Sequence, residues 1–293
     1  MTLPERDTRV TYPAGALRER TRVLQVGPAK DGLIAVVTES TSFHPVDAAW
    51  PDQPADTGLL RVGEQEIEIR DAVVAATDGG QLHLGEDIPV RPGAEGWSFL
   101  VAHLVDDGAA VAEGDQVEIE ADAATRRELF IGHTACHVAS LALNRTLADR
   151  WSKPAREDAL GNPDFDGIAI MTSRIHRNGS IDTYRLNKSL RRAGFDVAGV
   201  APTELAALAA SVTSTLAEWS RSDAAVRIDR EGDGLTDRRT WVCELPGGAA
   251  RIPCGGTHAG SLGELGPVHV AFELGDDGGT PVLTMVTRAD PER

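Results

Sequence analysis

Residues 122–150, DAATRRELFIGHTACHVASLALNRTLADR, mark the point where the chain changes character. The stretch has no proline and one glycine, and Leu129, Ala135, Val138, Leu141 and Leu143 recur at helical spacing. One long helix is therefore predicted from about Asp122 to Asp149, with TRRE at 125–128 reading as a capping box near its start. Before this point the sequence is strand-like from Val10 to about Glu120. Short apolar runs such as RVLQV, LIAVVTES, QEIEIRDAVVAA and DQVEIEA are separated by Gly, Asp and Pro turns. That pattern predicts a small β-barrel or sandwich, and IPVRPGAEGW at 88–97 reads as plain loop. After the helix, residues 151–170 read as a loop-rich insertion. A second helix is announced by PTELAALAASVTSTLAEWSRS, with Thr203 at the N-cap behind Pro202. Strand-like AVRIDR, TWVCEL, VHVAFEL and VLTMVTR follow. The fold class expected is α+β, with a barrel-like domain at 1–121 and a domain at 122–293 in which a β-sheet packs against long helices.

A chain of 293 residues is long enough for two domains with separate cores. No run of about 18 apolar residues appears, so no membrane span is expected. The first ten residues, MTLPERDTRV, carry charges and no apolar core, which predicts no secretory leader and a cytoplasmic protein. The cysteines Cys136, Cys243 and Cys254 are odd in number and widely spaced. In a reducing compartment this favours metal or catalytic use over disulfides. The formal charge of -16 weighs against nucleic acid. Residues 174–192, RIHRNGSIDTYRLNKSLRR, run the other way, with six Lys/Arg against one Asp. Such a stretch can meet phosphates, or form a solvated helix face.

Inside the long helix His133 and His137 form an HxxxH pair on one face, with Cβ atoms about 5–6 Å apart. Two imidazoles can converge from that spacing on tetrahedral zinc. Far downstream, IPCGGTHAG at 252–260 supplies Cys254 and His258 around two glycines, a thiolate and a third imidazole aimed by a tight loop. Together the four residues predict a zinc site. Cys136, three residues after His133, competes as a thiolate or serves as a small buried core residue, and Cys243 reads as strand interior.

GHTACHVASLALNRTL and RIPCGGTHAGSLGELGPVHV resemble the two zinc motifs of the alanyl-tRNA synthetase editing domain and of its freestanding relatives, the AlaX trans-editing proteins. ELGPV at 264–268 continues the second motif, and TSFHPVDAAWPDQPADTG resembles the family's segment ending GGGQPxDxG. Threonyl-tRNA synthetase editing domains share the zinc pair, so fold and reaction class are implied more firmly than the amino acid handled. The resemblance implies a zinc-dependent deacylase that hydrolyses the ester between a small hydroxy amino acid and the 3′-terminal ribose of tRNA, with serine on the alanine tRNA as default. Zinc would polarise the carbonyl, activate water, or anchor the substrate. Matching positions imply Thr41, His44, Gln53 and Asp56 as substrate-binding residues, with loop packing the alternative for His44. One departure stands out: Ala49, Trp50, Pro51 and Asp52 occupy the place of consecutive glycines. Trp and Pro there would fill or stiffen space left for the aminoacyl group, so threonyl or a threonine analogue such as fluorothreonyl is the second substrate expected. A non-catalytic, zinc-containing tRNA-binding module is the reading from another class.

Overall fold

The computed structural model describes residues 3–292. The chain divides into two compact units. One comprises the chain up to Arg126 with Arg230–Arg239 and Gly255–Thr257; the other comprises Arg127–Asp229, Thr240–Cys254 and the chain from His258 onward. The α+β class expected is observed.

The first unit is built on an eight-stranded antiparallel sheet. In order across it lie Gln65–Ile69, Gly58–Val62, Gln116–Ala121, Arg18–Pro28, Leu33–Thr38, Ser98–Asp106, Asp71–Thr77 and Leu82–Leu84. Alternation explains why these segments are strands. In Gln116–Ala121 the residues Val117, Ile119 and Ala121 turn inward while Glu118 and Glu120 stay outside, the period of two that a half-buried strand requires. The outward glutamates face arginines on the neighbouring strand, Glu118 opposite Arg20 at 3.0 Å and Glu120 opposite Arg18 at 2.5 Å. Strand Arg18–Pro28 carries a bulge between Val23 and Gln25. Before the bulge it pairs with Gln116–Ala121, and after it with Leu33–Thr38. A bulge bends a strand and increases its twist, and the inner face gathers Val23, Val36, Phe43, Leu60, Ile67, Val101 and Ile119 into one core.

The barrel expected from the strand pattern is not seen, because no sheet closes. The order begins at Gln65–Ile69 and ends at Leu82–Leu84, and these edges do not pair. Closure depends on strand tilt and stagger across the whole sheet, which local alternation does not encode. Both edges are blunted, one by Glu66 and Glu68 and the other by its length of three residues. Gly58 opens the second strand at φ +156°, where a Cβ would run into the carbonyl of Glu120 and come within 2.9 Å of the Phe43 ring. The glycine of QPADTG is thus required by packing.

In the second unit the helix Ala123–Thr146 matches the predicted span to within a few residues at each end. Its cap differs: the Asp122 carboxylate accepts the Thr125 N–H at 2.7 Å. Aspartate before the first turn serves this role well, and TRRE falls inside the helix. Ile131, Ala135, Val138, Ala139, Ala142 and Leu143 are buried in the unit's core. Gly132 lies where a Cβ would come 2.7–2.8 Å from the backbone of Gly179 and strike the carbonyl of His176, so only glycine lets the helix sit this close to the hairpin below it.

That hairpin, Ile170–His176 with Gly179–Arg185, was not legible as strands in the sequence reading. It belongs to a four-stranded sheet completed by Thr280–Ala289 and Val268–Asp277, and a three-stranded sheet holds Val226–Arg230, Arg239–Leu245 and Gly248–Pro253. Cys243 is strand interior and fully buried, as expected. The second helix, Leu205–Arg221, buries Leu208, Val212, Leu216 and Trp219 along one stripe. Its N-cap is Glu204, with no side-chain cap bond; Thr203, the residue predicted to cap, turns its hydroxyl to the Glu204 carboxylate at 3.5 Å. Among the described residues, no helix is long and apolar enough to cross a membrane.

Candidate metal centre

One turn of the long helix places His133 and His137 side by side, their rings stacked 4.9 Å apart. Strand Gly248–Pro253 ends at the residue before Cys254, and four positions later His258 closes the set. One donor atom from each of His133, His137, Cys254 and His258 lies within 4.8 Å of the other three. Cys254 Sγ stands 3.5 Å from His133 Nε2 and 3.2 Å from His258 Nε2. Bonds of about 2.0–2.1 Å from nitrogen and 2.3 Å from sulfur, set tetrahedrally, put neighbouring donors roughly 3.3–3.6 Å apart. The four side chains are therefore a group able to hold a metal ion, and their nitrogen and sulfur donors suit zinc.

His137 carries the clearest mark of such a role. Its Nε2 is buried and has no hydrogen-bond partner, a costly arrangement unless something other than protein takes up the lone pair. Burial pushes the imidazole down to about 4, which keeps it neutral, the form that ligates. The Trp241 indole stacks over it at 5.0 Å and 28° and shields it from water.

Thr134, which the sequence reading passed over, orients His258. Its hydroxyl donates to the Phe130 carbonyl at 2.8 Å, which leaves its lone pairs for the Ala259 N–H at 3.0 Å and for His258 Nδ1 at 3.3 Å. Nδ1 then bears the proton and Nε2 presents its lone pair toward Cys254. A partner behind the ligand fixes tautomer and ring plane. Threonine beside an HxxxH histidine has no sequence signature of its own, since its role depends on a loop more than a hundred residues away. In ELGPV, Glu264 forms a capping box with Ser261 and accepts from the Gly260 N–H at 2.8 Å, fixing the turn that follows His258.

Cys136 stands outside the group. Its thiol faces the Asp182 carboxylate at 3.5 Å and the Ser173 hydroxyl at 3.7 Å. Burial and the negative charge of Asp182 push it well above the ordinary thiol range, so it is a protonated donor in a polar pocket. Neither the competing ligand nor the plain core residue of the sequence reading describes it.

Thr41, His44, Gln53 and Asp56 all lie in the other unit and all are buried. Asp56 is held by Arg126, whose Nε donates to Oδ1 at 2.6 Å and whose second nitrogen meets Oδ2. Arg126 also donates to the Ser42 carbonyl at 2.7 Å, and the His44 N–H donates to Asp56 Oδ2 at 2.5 Å. The ion pair is almost dry, with side-chain exposures of 4% and 1%. Sequence reasoning missed Arg126 because a charge in a helix's first turn looks like solvated surface. The Thr41 hydroxyl lies 2.9 Å from His103 Nε2, and His103 Nδ1 lies 3.0 Å from the Val36 carbonyl. The carbonyl fixes the proton on Nδ1, so Thr41 donates to Nε2 and accepts from the Phe43 N–H at 3.0 Å. The Gln53 amide clamps Thr257, its Nε2 donating to the Thr257 hydroxyl at 3.0 Å and its oxygen accepting the Thr257 N–H at 3.3 Å. The His44 ring packs edge-on to Tyr12 at 5.2 Å. Its Nδ1 is buried without a partner, and burial lowers its pKa to about 4. In the departing loop Trp50 is 46% exposed, while burial raises the Asp52 carboxyl above its usual range.

No family model matches the chain. Its relatives among curated proteins are alanine–tRNA ligases. That of Ruegeria pomeroyi is 27% identical over 244 residues, covering 81% of this chain and 24% of the ligase. That of Halobacterium salinarum is 23% identical over 276 residues, covering 92% of this chain and 24% of the ligase. That of Frankia alni is 27% identical over 248 residues, covering 84% and 23%. The chain spans about a quarter of the length of these relatives. As its two histidine-bearing motifs imply, the chain is a relative of the alanyl-tRNA synthetases, matching one segment of them.

Proposed function

We propose that the chain is a zinc-dependent aminoacyl-tRNA deacylase acting in trans, with residues 1–121 as a β-rich accessory domain and 122–293 as the deacylase domain. The observation that carries this reading is the convergence of His133, His137, Cys254 and His258 in a relative of alanine–tRNA ligases. Hydrolysis breaks the bond between the acyl carbon and the ribose 3′ oxygen. Water supplies the oxygen that ends on the carboxylate and a proton for the leaving hydroxyl. Zinc held by these four residues would supply a Lewis acid for the ester carbonyl or for water. The chain's own contribution is to hold neutral donors in place. Burial keeps His137 unprotonated, Thr134 sets the His258 tautomer, and Trp241 excludes water from one side. Within the other unit, His44 Nδ1 offers an acceptor to the aminoacyl group, with Asp56 and Arg126 fixing the backbone that carries it. Thr41 and Gln53 complete the substrate-binding set.

Serine on the alanine tRNA is the first substrate proposed. The Ala49-Trp50-Pro51-Asp52 loop, bulky where the resemblance expects glycines, supports threonyl or fluorothreonyl esters as the second. Purified protein mixed with labelled seryl-, threonyl-, fluorothreonyl- and alanyl-tRNA decides between them by the ratio of kcat/KM values. Pocket changes of methyl size shift such ratios about 10- to 200-fold, so restoring glycine at Trp50, Pro51 and Asp52 should move the ratio if the loop sets preference. Binding of tRNA with no turnover of any ester would mean a non-catalytic module.

A further inference from the structure

Sequence alone suggested residues 174–192 as one basic stretch, and the structure splits it. In the hairpin, Arg177 pairs with Glu128 at 3.0 Å and Arg185 with Asp277 at 3.4 Å. The other half is different. Lys188, Arg191 and Arg192 stand on one face of the short helix Lys188–Ala193, at the i, i+3 and i+4 positions. All three are exposed. Arg150 and Lys153, also exposed, join them from almost forty residues upstream, because the segment after the long helix runs along the end of the short one. The Lys153 ammonium donates to the Arg192 carbonyl at 3.1 Å, the Ser152 N–H to the Gly194 carbonyl at 2.9 Å, and the Asp196 N–H to the Arg150 carbonyl at 2.8 Å. The Arg150 stem lies against Gly199.

Among the described residues, none of these five cations holds an ion pair with a carboxylate. In this chain of charge -16 acidic groups outnumber basic ones, and Arg18, Arg20, Arg61 and Arg70 of the strand-rich unit are each paired with a carboxylate. Asp149 and Asp196 lie next to these segments in sequence, and Asp196 commits Oδ1 to the Ala198 N–H at 3.0 Å. Leaving five cations unneutralised on one surface carries a repulsive cost that a polyanionic partner would remove. With screening over about 8 Å at physiological salt, the patch acts on a partner laid against it while acidic surface elsewhere is barely felt.

We propose that Arg150, Lys153, Lys188, Arg191 and Arg192 form a phosphate-binding face for RNA; the choice of RNA rests on the deacylase reading above. An anionic membrane fits less well. Leu190, the apolar residue of the short helix, is buried at 2%, and the exposed large hydrophobics are Trp50, Ile168, Ile181 and Leu274, all outside these segments. Among the described residues, no exposed large hydrophobic lies in 150–153 or 188–193 to enter a bilayer.

The test uses the full chain and uncharged tRNA, whose binding does not depend on ester hydrolysis. Each phosphate contact contributes roughly 0.7–0.9 to the slope of log affinity against log salt. Five contacts then predict a loss of about 100- to 500-fold between 50 and 200 mM salt, and the Lys188→Gln/Arg191→Gln/Arg192→Gln variant should lose only about 10-fold. A control variant, Arg18→Gln/Arg20→Gln, removes paired arginines and should keep the parent's slope, with melting temperatures checking the fold of each. Equal slopes in parent and triple variant would overturn the proposal, as would capture by phosphatidylserine vesicles without tRNA binding. Hydrolysis of an ester with an unchanged slope rejects the patch and leaves the deacylase. Patch-dependent binding with no ester hydrolysed does the reverse.

Discussion

His103 in the strand-rich unit and His137 on the long helix are alike by one measure and opposite by another. Burial pushes both imidazoles down to about 4. Yet His103 has a partner on each nitrogen, the Val36 carbonyl and the Thr41 hydroxyl, whereas His137 Nε2 has none and points into a group holding a cysteine and two further histidines. A shifted pKa thus marks burial in both places and a site in neither. What separates them is whether the buried lone pairs are already used. By that criterion the Asp56–Arg126 cluster is architecture with one open nitrogen at His44, and the His-His-Cys-His group is one that could hold a metal ion.

The largest effect expected from this contrast is at Cys254. Cys254→Ala should remove the bound metal and lower deacylation more than about 100-fold, beyond the 10- to 100-fold typical of residues that merely support a ligand. Cys243→Ala, a change in a buried strand position, should lower the melting temperature and leave metal content intact. Equal metal loss in both variants would mean that fold damage has been mistaken for ligation.

Next in size is Arg126→Met. Removing one partner of a buried pair leaves the Asp56 charge uncompensated and should cost about 3–5 kcal/mol in denaturant unfolding. Metal content in the surviving folded protein should be unchanged, since the pair and the four-residue group lie in different units. A cost below about 1 kcal/mol would show that the strand-rich cluster is not structural, and the comparison would fail on that side.

The smallest of these effects, and the sharpest, is at Thr134. Thr134→Val keeps the side-chain shape and removes the hydroxyl behind His258, so zinc affinity should fall about 10- to 100-fold, while the buried Ala259 N–H left without its acceptor should cost about 1–3 kcal/mol in unfolding. Competition with a chelator of known affinity measures it. Unchanged affinity would mean that His258 needs no second partner to hold its tautomer.

The sequence carried the parts of this picture that are local or written as residue spacing. The long helix was legible because apolar periodicity persists over more than six turns, and the four-residue group because HxxxH and CGGTH each put their donors on one side of a short element. Features decided by distant chain segments were not. Barrel closure depends on whether Gln65–Ile69 meets Leu82–Leu84, which no local run specifies. Thr134 and Arg126 acquire their roles from Ala259, His258 and Asp56, all remote in sequence. The Ile170–Arg185 hairpin was missed for another reason: its basic residues drew the reading toward charge. The two-residue turn is Arg177-Asn178, with Asn178 at φ 57° and Gly179 already paired with His176, so Asn178-Gly179 sits one place later than the turn that this dipeptide usually marks.

The most direct measurement is metal content by mass spectrometry on protein purified without chelators, alongside Cys254→Ala. The account predicts about one zinc per chain in the parent, as four nitrogen and sulfur donors in tetrahedral reach require, and essentially none in the variant. Parent protein that is folded and free of zinc, and that takes up none when zinc is added, would contradict it.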